Sequence, residues 1–270
     1  MKVPALLLAA TTAFAQPPSA RLAFDSFEVA TIKPTPRDWT GGRFMRMQTA
    51  QQFSARNYEF RILVSAAFSI SPKAVIGGPA WVDSDHYDIV AKTPGEGLPN
   101  EVRPNLQEQM KMLRQLLEDR FKFTYHREPK EMTYYALTVA KNGPKLQESK
   151  LDPNATPEGP PPLVFVLSPQ GARLPARYAT MGEFAALLQR SALDRPVVDQ
   201  TGLTGRYDFD IEWAPDETQF NGVFKPGNPD SPTKPSLSAA IQQQLGLRLD
   251  SAKGPVEAMV IDRAERPTEN

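Results

Sequence analysis

The chain of 270 residues contains no cysteine. Disulfides, thiolate catalysis and cysteine metal sites are therefore excluded. With only two histidines, His86 and His126, most hydrolytic and metal-dependent mechanisms lack their usual groups. Basic and acidic residues balance at 31 each, so we expect no nucleic-acid partner. No run after the first residues approaches the length of a membrane span, and we expect no transmembrane segment there.

The first residues read M-K-V-P-A-L-L-L-A-A-T-T-A-F-A-Q. Lys2 precedes a short apolar stretch, and Ala13-Phe14-Ala15 fits the A-x-A cleavage pattern of secretory signals. The pattern predicts a signal peptide over residues 1–15 and an exported protein, periplasmic or secreted. A buried N-terminal helix is the alternative.

Prolines, 27 in all, cluster between periodic segments and divide the chain into two similar parts. We predict an α+β fold with a first repeat at 24–146, a proline-rich linker at 147–162 and a second repeat at 163–268. Each repeat is expected to run strand-helix-strand-strand-helix-strand-strand, with antiparallel or mixed sheets. The last two strands of each repeat are predicted as hairpins, with turns at 128–131 and at 253–254.

Polar residues ahead of apolar stripes predict where the helices begin. Asn57 is the expected N-cap of the first helix, and Ser236 that of the last. Capping boxes are predicted for Asn105 with Glu108 and for Thr180 with Glu183.

A Tyr-Asp pair follows a glycine-containing turn in both parts. Tyr87-Asp88 lies in residues 75–92, and Tyr207-Asp208 lies in residues 195–213. The like placement of the two pairs favours a tandem duplication.

Several longer stretches resemble a known family. They are F-E-V-A-T-I-K-P, G-G-P-A-W-V-D-S-D, L-L-E-D-R-F-K-F, H-R-E-P-K-E, V-V-D-Q-T-G-L-T-G-R-Y-D-F and Q-L-G-L-R-L-D-S-A-K-G-P-V-E. Together they resemble the soil-associated exported protein family of unknown function that is expanded in acidobacterial genomes. Some relatives carry this domain beside a membrane-bound sensor peptidase, so the resemblance implies a sensing or binding role without an established activity. Each repeat is also similar to the short N-terminal domain of secretins and TonB-dependent receptors, which implies docking of envelope proteins.

Aromatic residues and arginine dominate binding hot spots, and several cluster around the two Tyr-Asp turns. The alternative for each aromatic residue is a place in the core. The acids near His86 lack the spacing of a calcium loop and are better explained as caps of turn amides. The predicted binding residues are Trp81, Asp85, Tyr87, Arg206, Tyr207, Asp208 and Trp213.

These residues suit a non-enzymatic module for an envelope protein, a peptide or a small ligand, and we expect no cofactor and no metal. The alternative is a hydrolase acting on peptide or cell-wall material through His126, Glu128 and Asp208. A surface role for His126 is favoured over this alternative. No G-x-S-x-G elbow occurs, and Gly202-x-x-Gly205 lacks the Lys-Ser/Thr of a phosphate loop.

Overall fold

A computed structural model describes residues 23–95, 103–150, 163–222 and 234–268. Helices and sheets mix throughout these ranges, which confirms the predicted α+β class. The α-helices are Phe60–Phe68 (α1), Leu106–Arg120 (α2), Met181–Leu187 (α3) and Leu237–Leu245 (α4). Shorter helical turns are the 3-10 helices Pro72–Ala74, Ala80–Asp83 and Gln219–Gly222 and the π-helix Leu188–Ala192.

Twelve strands are found in the described residues. Those of the first half are Val29–Pro34 (β1), Phe44–Met47 (β2), Gln52–Glu59 (β3), Val75–Gly77 (β4), His86–Lys92 (β5) and Thr124–Val139 (β6). Those of the second half are Gln147–Glu148 (β7), Val166–Ser168 (β8), Gly171–Ala179 (β9), Val197–Asp199 (β10), Tyr207–Trp213 (β11) and Leu247–Arg263 (β12).

The strands form three sheets of four. The first sheet has the order β1-β5-β3-β2, the central sheet β10-β6-β12-β4, and the second sheet β7-β11-β9-β8. Adding six to each strand number of the first sheet gives the order of the second sheet. Both outer sheets are antiparallel, whereas the central sheet is mixed.

Strands β6 and β12 pair with each other along a continuous antiparallel ribbon from Val139↔Leu247 to Thr124↔Arg263. The two predicted hairpins are therefore wrong, because no turn interrupts either strand. Pro129 lies within the first predicted turn and Pro255 directly follows the second, and both lie where the outer edge of the ribbon has no further strand. A proline at such an edge leaves no ladder hydrogen bond unmade.

The central sheet joins the two halves because the short strand of each half pairs with the long strand of the other. Short β4 of the first half pairs in parallel with the end of β12, and short β10 of the second half pairs in parallel with the end of β6. Each half thereby contributes the long strand against which the other half's short strand lies.

The two hydrophobic cores follow this exchange. The first core packs α1 and α2 on the first sheet, and it takes Met259 and Ile261 from β12. The second core packs α3 and α4 on the second sheet, and it takes Leu137 from β6. Neither core is complete within its own half of the sequence.

Helix termini follow the predicted local chemistry with one exception. The capping boxes at Asn105 and Thr180 are present, and the Ser236 side chain accepts from the N–H of Ala239. The predicted cap at Asn57 is wrong: α1 begins after Glu59, and Asn57 lies in β3 with a left-handed φ of 62°.

The order within each half also differs from the predicted one, since three strands precede its first helix and one strand ends it. Strand β9 was not predicted, because Arg173, Pro175 and Arg177 hide its alternation. Gln147–Glu148, assigned to the linker, form β7 against β11. Residues 151–162 of the linker and residues 1–15 of the predicted signal lie outside the described residues.

No helix within the described ranges is both long and apolar enough to cross a membrane.

Candidate binding cleft

A cleft of about 650 Å³ opens where β1 and β3 end and β5 begins, beside the first core. Four segments form it: the end of β1 with the loop after it, the bulge of β3, the start of β5, and the tail after β12. The lining residues are Ile32, Pro34, Thr35, Pro36, Arg37, Trp39, Asn57, Ser84, Asp85, His86, Tyr87, Arg266 and Pro267.

Asp88 holds three of these segments together. Its carboxylate accepts from Thr35 Oγ1 at 2.7 Å, from Arg56 Nε at 2.9 Å and from the Asn57 N–H at 3.0 Å. The bond to Asn57 fixes a bulge in β3, where the register with β5 shifts between Ala55 and Tyr58. Asparagine tolerates the left-handed backbone required there, which is why it occupies this position.

The end of β1 lines one side of the cleft through Ile32 and Pro34. Thr35 donates its N–H to the His86 carbonyl at 2.8 Å, so the odd-numbered residues of this part of β1 bond to β5. The peptide groups of Ile32 and Pro34 consequently face away from β5, and proline is tolerated there because it has no N–H. Ile32 as a whole is only 1% exposed and its side chain belongs to the first core, so it forms part of the cleft floor.

The tail after β12 forms the opposite wall. Arg266 Nε donates to Asp85 Oδ2 at 2.7 Å, and its guanidinium carbon lies 5.6 Å from the centroid of the Trp81 ring. The hydrogen bond from Arg266 holds the pKa of the Asp85 carboxyl below its usual range. Arg120 fastens the tail to β1 by donating to both Ala30 O and Thr268 O, at 3.0 and 3.3 Å.

Tyr87 is 3% exposed and packs edge-on against Trp81 and Phe121. Burial raises the pKa of Tyr87 to about 12, and the charge of Asp85 adds to the rise. The phenol is therefore neutral at physiological pH and forms a fixed part of the cleft wall.

Several side-chain polar groups around the cleft have no partner among the described residues. Arg37 is exposed and makes no ion pair within the described part of the chain. The side-chain amide of Asn57 has no hydrogen bond to any described residue, and the buried Nε1 of Trp39 has none either. The Arg56 guanidinium carbon lies 4.1 Å from the centroid of the Trp39 ring and holds that ring in place.

The predicted binding residues divide between the two halves. Asp85 and Tyr87 line the cleft, and Trp81 lies behind Arg266, buried among the aromatic residues of the first core. Arg206, Tyr207, Asp208 and Trp213 belong to β11 or the turn before it, and none of them lines the cleft.

In the second half these residues support the fold. Arg206 donates to Tyr178 O at 2.9 Å and lies over the Tyr178 ring, 4.6 Å from its centroid. Tyr207 is buried at the start of β11. Trp213 is fully buried and donates from Nε1 to Gln219 Oε1 at 2.8 Å.

Asp208 has the same structural task as Asp88. It accepts the N–H of Tyr178 at 2.7 Å, and Tyr178 has a left-handed φ of 54°. The register between β11 and β9 shifts at this point, just as it does between β5 and β3. The Tyr-Asp pair seen twice in the sequence therefore marks a carboxylate that clamps a bulge in the neighbouring strand.

The residues of the hydrolase alternative are not all brought together. His126 Nδ1 lies 2.8 Å from Asp262 Oδ1, and its Nε2 lies 4.0 Å from Glu128 Oε1. The His126 side chain is 52% exposed on the central ribbon. Asp208 lies in the second sheet with its carboxylate on the Tyr178 N–H, and none of the three lines the cleft. Among the described residues no group of three or more His, Asp or Glu is placed to hold a metal ion.

A smaller cavity of about 350 Å³ lies between α3, β10 and β12. Its wall is mainly apolar, and the Gln189 amide beside it is already bonded to Ser69 O and to the Val197 N–H. Binding sites combine an apolar wall with a few convergent polar groups. The larger cleft fits that description better.

The sequence did not single out Arg37, Trp39, Asn57 or Arg266. A signal was available for two of them, because P-T-P-R-D-W places arginine and tryptophan in a proline-rich loop directly after a strand. Asn57 fits the pattern of a helix cap, and nothing in the sequence links Arg266 to Asp85.

A family model described as "Protein of unknown function (DUF3738)" matches residues 61–264. The chain belongs to this family. The match confirms the prediction that the chain belongs to a family of unknown function. No curated protein and no solved structure matches the chain. In this DUF3738 chain, Ser84, Asp85, His86 and Tyr87 lie within the matched range, whereas β1, the loop after it and Arg266 lie outside it.

Proposed function

We propose that the protein is a non-enzymatic binding module and that its cleft takes a short peptide. The observation that carries this proposal is a cleft whose wall combines Trp39 and three prolines with the polar side chains of Arg37, Asn57 and Arg266. Binding sites for small ligands combine an apolar wall with a few polar groups that fix the ligand's orientation. Trp39 and three prolines supply the apolar wall, and a cleft of about 650 Å³ has room for a few residues.

A binding screen tests the proposal directly. The purified protein is titrated with a library of acetylated tetrapeptide amides while tryptophan fluorescence is recorded. Trp39 lines the cleft and Trp81 lies beside it, so occupancy is expected to change the emission. Trp39→Ala should abolish the binding of any peptide found, whereas Val166→Ala, at an exposed residue of β8, should not. The proposal fails when no peptide binds or when Trp39→Ala binds as the wild type does.

The hydrolase alternative rests on the contact between His126 and Asp262. A histidine held by a carboxylate is one part of a general-base arrangement. A screen with peptide, ester and glycan substrates tests it, and turnover that disappears in His126→Ala would favour the alternative over binding alone.

We further propose that the protein is exported and that residues 1–15 are its signal peptide. Expression in a bacterial host followed by mass spectrometry of the purified protein tests both points. An N-terminus that still begins at Met1 in a cytoplasmic fraction would contradict them.

A tandem duplication is also proposed as the origin of the two halves. The equal strand order of the outer sheets and the bulge clamps at Asp88 and Asp208 support it. In the second half, the Tyr178 ring and Arg206 stand where the first half has Asn57 and His86. On this proposal the first half kept or acquired a cleft at a position that the second half covers.

A further inference from the structure

The geometry points to a carboxylate as the group that the cleft recognises: the bound peptide is acidic, and its carboxylate lies between Arg37 and Arg266. This inference rests on the proposed peptide binding and adds the chemistry by which the peptide is selected.

Charge is the first argument. Two arginines and one aspartate, Asp85, line the cleft, which leaves an excess of positive charge. His86 lies there too, but its Nε2 is 3.2 Å from Glu59 Oε1, a partner outside the lining. A concave site with an excess of one sign concentrates ligands of the opposite sign.

Unused donors are the second argument. Arg37 makes no ion pair to any described residue, and the Asn57 amide is likewise unbonded there. A guanidinium carries five N–H donors, and Arg266 commits its Nε to Asp85 while its side chain remains 62% exposed. Carboxylates accept from arginine in paired, charge-assisted hydrogen bonds, which makes them the matching ligand group.

Because Arg266 is paired with Asp85, substitutions of the two residues should change the affinity for an acidic peptide in opposite directions. In the free protein Asp85 occupies Arg266, so it competes with any carboxylate of the ligand. Removing the charge of Asp85 should strengthen the binding of an acidic peptide, whereas removing the charge of Arg266 should weaken it. A purely structural role for this ion pair would make both substitutions weaken binding.

Matched peptides test the inference with the full-length protein. Acetylated tetrapeptide amides that carry Glu at one position are compared with the same peptides carrying Gln, by fluorescence titration. A third arm compares the free C-terminal acid with its amide, since either source supplies the same carboxylate. We expect the acid of one pair to bind about tenfold more tightly than its amide, as the loss of one charge-assisted pair implies.

Variants complete the test. Arg37→Gln and Arg266→Gln should remove the preference for the acid, and Asp85→Asn should increase it. Arg177→Gln is the control, because Arg177 is paired with Asp210 on the second sheet at 3.0 Å. Equal affinity of acid and amide, or weaker binding in both Asp85→Asn and Arg266→Gln, would overturn the inference and leave peptide binding standing. If no peptide binds, both the preference for a carboxylate and the proposed peptide binding are wrong.

Discussion

At the scale of single residues, two aspartates have the same task with different numbers of partners. Asp88 accepts hydrogen bonds from Thr35 in the loop after β1, from Arg56 and from the bulged Asn57. Within the described residues, Asp208 accepts only from the bulged Tyr178. Both hold a left-handed residue three positions before a helix begins. Each carboxylate therefore fixes the backbone just before a helix begins.

Asparagine at either position should destabilise the protein, and more so at position 88. Charge-assisted hydrogen bonds contribute about 1.5–3 kcal/mol each when their partners are left unsatisfied, and Asp88→Asn weakens three of them. We expect the free energy of unfolding, measured in urea, to fall by about 2–3 kcal/mol for Asp88→Asn and by about 1–2 kcal/mol for Asp208→Asn. An equal or larger loss in Asp208→Asn would contradict this account of the two bulges.

Tyr87 should give the protein a measurable sensitivity to alkali. Its pKa is raised from 10.0 to about 12 in the folded protein, so the fold favours the neutral phenol. The stabilisation is complete below the unfolded value and is lost as the pH rises toward the folded value. The free energy of unfolding of the wild type should therefore fall between about pH 10 and about pH 12 more steeply than that of Tyr87→Phe. Parallel curves for the two proteins would show that Tyr87 is not responsible.

At the scale of secondary-structure elements, the junction between α4 and β12 depends on one glycine. Gly246 ends α4 with a left-handed φ of 66°, and β12 begins at the next residue. A Cβ at this position would lie 2.2 Å from the carbonyl oxygen of Gly143. Gly143 lies in the loop after β6, and this loop is held against the end of α4 because Lys145 N donates to Leu245 O at 2.8 Å.

Gly246→Ala should therefore cost more than a glycine substitution that only strains the backbone. Gly202 is the matched control, because its φ is 70° and a Cβ there would meet nothing within 4 Å. We expect about 1 kcal/mol for Gly202→Ala from backbone strain, and about 3 kcal/mol or more for Gly246→Ala because the backbone must also move. Thermal melting of the two variants side by side measures the difference. Equal melting temperatures would contradict the prediction, because they would mean that the loop after β6 moves away from a Cβ at position 246 at little cost.

The elements show which features local sequence determines. The capping boxes at Asn105 and Thr180 were predictable because a cap is read by residues three positions away. The long strands β6 and β12 were not, because Pro129 and Pro255 favour turns locally and only the pairing of distant strands overrides them. Asp85 and Tyr87 are predictable as binding residues because they lie close together in the sequence at a Tyr-Asp turn. Arg37 and Arg266 are not, because they reach the cleft only when the two ends of the described chain are brought together by the fold.

At the scale of the whole molecule, the exchange of long strands ties the two cores to each other. Val75 of β4 pairs with Met259 of β12, and Val197 of β10 pairs with Tyr135 of β6. Damage to one strand should thus be felt in the half that is distant in sequence. The π-helix, α3 and β10 depend on β6, whereas α1 and β4 depend on β12.

A reciprocal pair of core substitutions checks this dependence. Ile261→Ala and Leu137→Ala each remove a buried side chain, at an expected cost of about 2–4 kcal/mol. Ile261→Ala should speed amide hydrogen exchange in α1 and β4 more than in α4, although α4 directly precedes β12. Leu137→Ala should do so in α3 and β10 more than in α2, which directly precedes β6. The arrangement with exchanged long strands is contradicted if amide hydrogen exchange accelerates mainly in α4 for Ile261→Ala and mainly in α2 for Leu137→Ala.

The pairing of Val75 with Met259 also fixes an order of events during synthesis. On the ribosome the first half emerges early, yet its core stays open until the last long strand has been made and reaches back to β4. Contacts over such sequence separations close slowly, so the nascent chain spends a long interval without a finished hydrophobic centre. For a chain that must be threaded unfolded through a translocation channel, as the export proposed here requires, that delay is an advantage. The first core thus becomes the last part of the protein to be completed.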